Sequence, residues 1–531
     1  MILGDAISTA AQPADVSGSV TIDKVLRCQA QRRPDALALA DAKNRESFTG
    51  GKPRRLTYAE ADRAATAIAA RLRSMGLPAD AIIGIQLPNI VENFLALLGV
   101  LRAGMIAAPL PLLWRRADAV AALTRIGAKA LIGCGRVGNF DHGRFAMRVA
   151  ADVFSIRYVC GFGKNLPDGV VSFEDLFAPD APELLPLERQ EHGNAAAHLA
   201  VVTFEVGEGG IVPVARNHAE LFAGSLAVVL EAGLAEDSRI LSALAPASFA
   251  GIAVTLLPWL VSGAALVLHH PFDPEVFARQ RRHDRCGTLV LPASVAFRLA
   301  ETDAFAADTP ACVIATWRSP EMLATSPVWD EPGTTLVDVS IFGETALVAA
   351  RRGRDGRPDP LGLGPILTPR GGANAVAVAE VSRTEAGTVA MRGAMVPHRS
   401  FPPGIERSDV PHFRIEQGVV DTGYSCRVDP VSQALILTGP PAGVVGVGGY
   451  RFSLRDLQDL AGRADGGATL AAASDPMLGK RLIGDGADDR TVQAAFDTAG
   501  VNPLVAGAFR NRDEPGISGS DRPQPAALTA R

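Results

Sequence analysis

The feature that most constrains the fold of this chain is a regular alternation of short apolar runs with helical stretches of about three turns. Between residues 57 and 175, buried strands are predicted over 82–85, 105–109 and 129–133, and amphipathic helices over 92–101 and 118–126. Apolar strands separated by helices of this length are typical of parallel sheets that carry helices on both faces. The pattern therefore predicts an α/β fold.

A further helix in this stretch has explicit start and stop signals. Thr57 is a candidate N-cap, and Glu60, three residues later, completes a capping box. An apolar stripe with a spacing of four follows, formed by Ala64, Ile68 and Leu72. Gly76 is expected to end this helix.

The same rhythm returns between residues 198 and 350. Strands are predicted over 199–204, 239–244, 264–268, 288–291, 312–316 and 335–339, and helices over 218–231 and 273–282. Glycine, proline and short β-branched runs dominate residues 352–439, which predicts a small antiparallel β region. We therefore expect a large N-terminal domain of stacked α/β sheets over residues 1–439.

A stiff link with two prolines at 440 and 441 precedes the last part of the chain. Residues 440–510 are predicted to form a small C-terminal α/β domain. Residues 511–531 are rich in Gly, Pro, Ser and charge and are predicted to be a disordered tail.

Composition excludes several classes of function. The 531 residues carry 57 acids and 52 bases, a net charge of −5, and nucleic acid is not expected as a partner because no basic excess would neutralise phosphates.

Residues 240–272 contain no Asp, Glu, Lys or Arg, yet Pro, Gly and Ser divide them into short pieces, so a buried helix and strand are expected rather than a membrane span. Six scattered cysteines without a CxxC spacing argue against a zinc knuckle or a dithiol redox site and favour a reducing compartment, with disulfides left open by their even number. We expect a cytoplasmic location and no metal site.

The order of segments resembles the adenylate-forming superfamily of acyl-CoA synthetases, aryl ligases and luciferases, over roughly residues 25–485. The resemblance rests on LTYAEADRAATAIAARLRSMGL (56–77), GIQLPNIVENFLALLGVLRAGMIAAPLPL (84–112), PASFAGIAVTLLPWLVSGAALVL (246–268), GTVAMRGAMV (387–396) and ILTGPPAGVVGVGGYRFSLRDLQDL (436–460). It implies an enzyme that activates a carboxylic acid with ATP to an acyl-adenylate and passes the acyl group to a thiol, usually coenzyme A. It also implies a phosphate loop with a lysine, a magnesium-binding carboxylate, a ribose-binding aspartate and a C-terminal lysine.

The implied phosphate loop departs from the family pattern. It falls in VVTFEVGEGGIVPVARNH (201–218), where we expect it to connect a strand to a helix. The glycines Gly207, Gly209 and Gly210 could still expose backbone amides to a ligand. Glu205 and Glu208 replace hydroxyl residues, and valine (Val212 or Val214) stands where the family has lysine. Two carboxylates would repel a triphosphate.

The implied adenine and magnesium motif is partly retained, as Phe342-Gly343-Glu344-Thr345-Ala346. Phe342 could stack on a purine, and Thr345 could donate to an α-phosphate. The metal-binding glutamate is replaced by Ala346. Glu344 is adjacent, but on an extended segment its side chain would point to the opposite face.

The remaining implied positions are also altered. Tyr424 stands where the family binds ribose with aspartate, and Asp421 would need a shifted loop to substitute for it. The arginine before the family's hinge is missing as well, since Thr438-Gly439-Pro440 falls there. Lys480 is the candidate for the C-terminal lysine, yet it falls early and is expected to be a solvated turn residue. Thr345 and Lys480 are the candidate catalytic residues. For the acyl pocket the resemblance implies Phe249 and Gly251.

Two functions follow from these residues. One is a catalytically impaired member of the superfamily that binds an acyl, nucleotide or protein ligand. The other is a divergent acid–thiol ligase. ATP or AMP is the implied nucleotide, whereas the altered motifs argue against magnesium and coenzyme A. A small acyl or carboxylate compound is the expected partner, and a homodimer is left open.

Overall fold

The computed structural model describes residues 20–177, 194–305, 308–369, 375–464, 466–486 and 489–509. The predicted disordered tail, 511–531, lies outside these residues. The predicted α/β class is confirmed. A large N-terminal part contains two mixed sheets and a smaller antiparallel sheet, and a smaller α/β region follows it. The boundary expected at Gly439 stays a prediction.

Strands are numbered along the described chain. They are β1 (Leu37–Ala40), β2 (Arg55–Thr57), β3 (Ile82–Ile85), β4 (Ile106–Pro109), β5 (Ala130–Cys134), β6 (Tyr158–Phe162), β7 (Val171–Ser172), β8 (Leu199–Gly207), β9 (Gly210–Asn217), β10 (Arg239–Ser242), β11 (Ala265–Leu268), β12 (Thr288–Pro292), β13 (Cys312–Trp317), β14 (Thr335–Phe342), β15 (Ala346–Arg351), β16 (Gly364–Thr368), β17 (Val376–Arg383), β18 (Thr388–Arg392), β19 (Val420–Val428), β20 (Leu435–Gly439), β21 (Val444–Val447), β22 (Tyr450–Ser453), β23 (Thr469–Asp475) and β24 (Gly479–Asp485).

Two large sheets build the N-terminal part. The first has the order β7-β6-β5-β3-β4-β8-β9, and all its neighbours are parallel except the edge pair β8–β9. The second has the order β15-β14-β13-β12-β10-β11-β1-β2, with antiparallel strands at both edges and parallel pairs between them. The predicted strands are present in these sheets, with ends shifted by one to three residues.

Helices cover the sheets and fill the space around them. The longer ones are Ile22–Arg32, Tyr58–Ser74, Val91–Arg102, Arg116–Ile126, His142–Asp152, His218–Ala232, Pro274–Asp284 and Ala293–Glu301. The helix after Thr57 has the predicted capping box, in which Glu60 N donates to Thr57 Oγ1 and Thr57 N to Glu60 Oε2.

The prediction of an amphipathic helix is wrong for Val91–Arg102, because all twelve of its residues are buried. Its polar residues are accommodated by internal partners. Glu92, for example, is ion-paired with Arg45 and, at 2.7 Å, with Arg54. At Gly99 the helix touches its neighbour so closely that a Cβ would lie 2.5 Å from Ile68 Cγ2. A helix that is buried on every side has no solvent-exposed face, so its sequence shows no polar stripe opposite the apolar one.

The uncharged stretch 240–272 is broken up as predicted. It contains β10, a helical segment over 249–262 with a π-turn at Ile252–Leu256, and β11. Across the described ranges, no helix combines the length and the apolar character needed to cross a membrane.

The predicted antiparallel β region is a five-stranded sheet of the order β16-β17-β18-β19-β20. The C-terminal unit, residues 440–509 as far as described, has two hairpins, β21–β22 and β23–β24, with helices over Leu454–Ala464 and Asp489–Ala499. These elements surround a small core of their own that includes Leu457, Leu470 and Phe496.

Candidate functional site

The two segments implied to bind a nucleotide lie side by side. The backbone N–H of Glu344 donates to Glu205 Oε2 at 2.6 Å. Thr345 and the three glycines Gly207, Gly209 and Gly210 line one cleft of about 1170 Å³, which also reaches β19 and Arg451 of the C-terminal unit.

The implied phosphate loop is the tip of a β-hairpin. Strands β8 and β9 pair up to Gly207 and Gly210, which leaves Glu208 and Gly209 as the turn. This corrects the expectation that the loop leads directly into a helix, because the eight residues of β9 intervene. Asn217, at the end of β9, then caps the helix His218–Ala232 by accepting from Glu220 N.

Glu205 is bonded within the protein on both of its carboxylate oxygens. Oε2 accepts from Glu344 N, and Oε1 lies 2.7 Å from Arg451 Nη1. The pairing with Glu205 raises the pKa of Arg451 against the lowering effect of burial. A carboxylate of the chain therefore holds a backbone N–H and a guanidinium at this end of the cleft.

Gly343 is required for this arrangement. It has φ = +58°, and a Cβ placed there would lie 1.9 Å from Glu205 Oε2 and 2.5 Å from Arg451 Nη1. Phe342 O accepts from Thr345 N, which closes the turn between β14 and β15. Residues 343–345 thus form a tight turn, and the extended path expected around Glu344 is wrong.

Tyr424 and Phe342 pack against each other, with ring centroids 5.4 Å apart and an interplanar angle of 81°. Phe342 is 1% exposed, so its ring is covered by the protein. Arg451 Nη2 donates to the Tyr424 hydroxyl, and burial raises the pKa of that hydroxyl to about 12. Asp421 stands at the start of β19, where it accepts from Thr388 Oγ1 and Gly423 N.

The residues present do not fit a magnesium-bound triphosphate. Ala346 is fully buried at the start of β15. The Glu344 carboxylate points inward, where it accepts from Phe249 N at 2.8 Å, and burial raises its pKa. Within the described ranges, no group of three or more His, Cys, Asp or Glu is arranged to hold a metal ion.

Arg216, on β9, was missed by the sequence analysis. Its side chain is 1% exposed, and Nη2 donates to the carbonyls of Glu344 and of Thr345, the latter at 2.8 Å. Its guanidinium lies 3.9 Å from the centre of the Phe249 ring. Nε and Nη1 have no hydrogen-bond partner among the residues that the structure describes, and burial lowers the pKa of Arg216 to about 10. The sequence feature that could have identified Arg216 as a site residue is its position as a charged residue within an apolar run.

The implied acyl-pocket residues are packed inside the core. The Phe249 ring is fully buried and lies against Gly224, where a Cβ would be 2.5 Å from Cζ. At Gly251 a Cβ would meet Ala245 O at 2.3 Å, so only glycine fits there. Their role in binding an acyl group stays a prediction.

Lys480 is held in an ion pair rather than solvated. It lies on β24, and Nζ is 3.5 Å from Glu321 Oε1, on a carboxylate that is 9% exposed. The same hairpin docks on the large domain through Ser294 Oγ, which donates to Met477 O at 2.7 Å. Lys480 therefore lies on a strand rather than in the predicted turn, with its side chain 29% exposed, and a catalytic role stays a prediction.

A second cavity, of about 290 Å³, lies beside β14. Phe342, Ser340 and Asp338 face it from alternate positions of the strand, opposite Leu435 on β20. The Asp338 carboxylate is paired with Arg352 at 2.7 Å. Ser340 is 8% exposed.

The sequence profile described as "AMP-binding enzyme" matches residues 26–314, which is more than half of the chain. This chain belongs to the AMP-binding enzyme family. Members of this family are adenylate-forming ligases that bind ATP or AMP together with acyl or aryl substrates.

Curated relatives of this family member match in part. The salicyl-AMP ligase / salicyl-S-ArCP synthetase of Mycobacterium tuberculosis (strain ATCC 25618 / H37Rv) is 31% identical over 277 residues, which are 51% of this chain and 47% of that relative. The match therefore spans about half the length of the relative. A beauvericin nonribosomal cyclodepsipeptide synthetase of Gibberella fujikuroi is 34% identical over 85 residues, 2% of its length.

Solved structures of similar proteins cover nearly the whole of this family member. The amide bond synthetase McbA from Marinactinospora thermotolerans has a TM-score of 0.71 at 18% identity, over 92% of this chain and 94% of that one. Apo MbtA from Mycobacterium smegmatis has a TM-score of 0.60 at 20% identity, over 92% and 90% of the two chains. At these identities the likeness concerns the fold.

Proposed function

We propose that this family member does not form acyl-adenylates and acts by binding a small-molecule ligand without activating it. One observation carries the proposal. The Glu205 carboxylate accepts the N–H of Glu344 and the guanidinium of Arg451, and thereby takes up donors that an anionic ligand at this end of the cleft would need.

Charge supports the proposal further. A triphosphate brings about four negative charges, and the hairpin beside it carries Glu205 and Glu208 with valine at position 212 or 214 in place of lysine. The one cation that Arg451 supplies is already paired. Placing a polyanion beside a second carboxylate, that of Glu208, is electrostatically unfavourable.

The positions for metal and ribose give independent support. Ala346 has no ligand atom, and the Glu344 carboxylate is held by Phe249 N. Tyr424 lies on Phe342 and offers a hydroxyl that Arg451 already contacts. Loss of one electrostatic contact in such a site typically lowers the reaction rate by a factor of about 10²–10³. Here several such contacts are absent together.

The alternative is a divergent ATP-dependent ligase that joins an acid to a thiol. One observation favours it. Thr345 is 2% exposed and lines the cleft. A hydroxyl in this position could donate to a phosphate, as the resemblance implies.

ATP–pyrophosphate exchange distinguishes the two functions. We expect none from the unmodified protein across short-chain, aryl and long-chain acids, with calorimetric titration of ATP, AMP and an acyl-adenylate analogue in parallel, with and without Mg²⁺. Robust exchange would overturn the non-catalytic proposal, and Glu344, Asp421 and Lys480 would then be mutated first.

A variant with restored charges tests the reason for the loss. Val212→Lys, Ala346→Glu and Tyr424→Asp together should increase nucleotide affinity. The matched control is Val212→Met, Ala346→Gln and Tyr424→Asn, which has similar side-chain sizes without the charges. Equal affinity of the two triple variants, with both shown by circular dichroism to be folded, would contradict the electrostatic argument.

A further inference from the structure

The C-terminal unit forms one wall of the cleft beside the β8–β9 hairpin. From this unit Pro441, Ala442, Val444 and Arg451 line the cleft, opposite residues of the large N-terminal part. The shape of the cleft therefore depends on the orientation of the unit. Two separate hairpins hold that orientation, and each of them contacts a different large sheet.

The hairpin β21–β22 contacts the first sheet. Tyr450 packs against the hydrophobic core of that sheet, and its hydroxyl accepts a hydrogen bond from Leu113 N at 3.3 Å. The next residue, Arg451, is ion-paired with Glu205 on β8 at 2.7 Å. Because each side chain of this pair is only 16% exposed, water and salt screen the attraction weakly.

The hairpin β23–β24 contacts elements of the second sheet. Met477, in the turn that joins its strands, packs against the hydrophobic core of that sheet, and its carbonyl accepts from Ser294 Oγ at 2.7 Å. Lys480 Nζ lies 3.5 Å from Glu321 Oε1, on a side chain that is 9% exposed. Ser294 belongs to the helix Ala293–Glu301, and Glu321 to a short 3₁₀ helix after β13.

The two hairpins move together because they share a core. Val447 on β21, Leu470 on β23 and Leu482 on β24 belong to one buried cluster of the C-terminal unit. A rotation of the unit about residues 440–443 would therefore separate both hairpins from their sheets at once. The free-energy costs of losing such separate contacts add.

The link between the two parts is itself in contact with the large part. Pro441 lies against Gly423 on β19, where a Cβ would be 3.1 Å from the Pro441 Cβ. Gly443, at φ = +68°, lies against the hairpin tip, since a Cβ there would be 3.2 Å from Glu208 Cγ. The two consecutive prolines further restrict the link, because each ring fixes φ.

We infer that the C-terminal unit is a fixed wall of the cleft, held in the described orientation by both hairpins, and that ligands enter and leave without rotation of the unit. All the contacts that hold it are made by groups of the chain itself. A ligand shifts a conformational equilibrium only by the difference in its affinity for the two states. The inference goes beyond the proposed function, because it does not depend on whether a bound ligand is activated.

Electron–electron double resonance between two spin labels on the full chain measures the orientation. Gln458→Cys, on the helix Leu454–Ala464 of the unit, is combined with Arg148→Cys beside the first sheet or with Arg282→Cys beside the second; all three positions are exposed. The background is Cys28→Ser, because the five other cysteines are buried.

We expect one narrow distance distribution for each labelled pair, unchanged by ATP with Mg²⁺, by AMP or by an acyl-adenylate analogue. The unmodified contacts are already present without these compounds, so the distribution in their absence is itself a test. A second distance population in the free protein would overturn the inference. A shift of the distance on addition of any of the three compounds would overturn it as well.

A release variant shows that the measurement detects movement. Arg451→Met, Met477→Ala and Lys480→Met together remove contacts of both hairpins, and the distributions of both labelled pairs should broaden at least about twofold as other orientations become populated. The control, Arg455→Met, Leu478→Ala and Arg463→Met, makes the same kinds of change at exposed side chains of the unit and should keep the narrow distributions. An unchanged distribution in the release variant, or equal broadening in the control, would overturn the inference.

Discussion

The Arg451 guanidinium lies 2.7 Å from the Glu205 carboxylate and joins the C-terminal unit to the hairpin of the first sheet. Each of the two side chains is 16% exposed, so the pair is largely withdrawn from water. The same guanidinium reaches Tyr424 on β19, and the same carboxylate holds the turn after β14. One ion pair therefore connects four parts of the molecule: the C-terminal unit, the first sheet, the second sheet and the small antiparallel sheet.

Breaking this pair should release the C-terminal unit. Arg451→Met leaves a partly buried carboxylate without its partner, which costs about 3 kcal/mol. Proteolysis at the 440–443 link under native conditions should then accelerate at least about tenfold, because local opening becomes easier. Arg392→Met is the control, since its 2.8 Å pair with Glu380 is exposed and should cost less than about 1 kcal/mol. Similar cleavage rates for both variants would contradict the proposed connection.

Gly343 should not tolerate a side chain. Gly343→Ala introduces a Cβ at positive φ and in direct conflict with Glu205, and we expect a loss of about 2–4 kcal/mol in the free energy of unfolding. Differential scanning calorimetry measures the loss. Gly207→Ala serves as a control because its Cβ would meet nothing within 4 Å and its φ is not positive. A Gly343→Ala melting temperature equal to that of the control would show that the turn can move.

Two substitutions at Tyr424 separate its hydrogen bond from its packing. Tyr424→Phe keeps the ring on Phe342 and removes the acceptor for Arg451, which should cost about 1–2 kcal/mol. Tyr424→Ala also opens a cavity beside Phe342 and should cost about 3–5 kcal/mol. Urea unfolding followed by fluorescence gives both values. If the two variants lose the same free energy of unfolding, the contact between the Tyr424 and Phe342 rings contributes little to stability.

Stability should fall as the solution becomes acidic. Burial lowers the pKa of His142 and of His270 to about 4, so both are neutral in the folded protein where the unfolded chain, with a pKa near 6.5, takes up protons. Above about pH 6.5 these histidines do not reduce the free energy of unfolding. Between about pH 6.5 and pH 4 that free energy falls, by roughly 3 kcal/mol in total for either residue alone.

The histidine contribution is measured by comparison of variants. Urea midpoints of the unmodified protein and of His142→Gln, His270→Gln should converge as the pH falls from 7.5 to 4.5, because the variant has no such histidines to protonate. His283→Gln, at a side chain that is 53% exposed, should follow the unmodified protein. Parallel curves for the double variant would refute the assignment.

Several elements could be predicted because their signals are local. The capping box of Thr57 and Glu60 lies within one turn, and the apolar strands of both sheets are short runs bounded by Gly and Pro. The helix Val91–Arg102 is predicted at the right place with the wrong environment, because its complete burial depends on the helices Tyr58–Ser74 and Ile22–Arg32, which pack against it. Strand β9 was missed because the resemblance placed a loop there, and β8 across the hairpin supplies its hydrogen bonds.

At the candidate site, residue identity and the order of segments already indicate which chemical groups are present: no lysine near the hairpin, Ala346 and Tyr424 at the implied metal and ribose positions, and two carboxylates in the hairpin. The contacts of these groups could not be predicted in this way. Glu205 meets Arg451 across 246 residues, Arg216 holds the 343–345 turn, and Lys480 pairs with Glu321. Composition and periodicity act over a few residues, whereas the partner of a charge depends on how separate sheets and the C-terminal unit pack together.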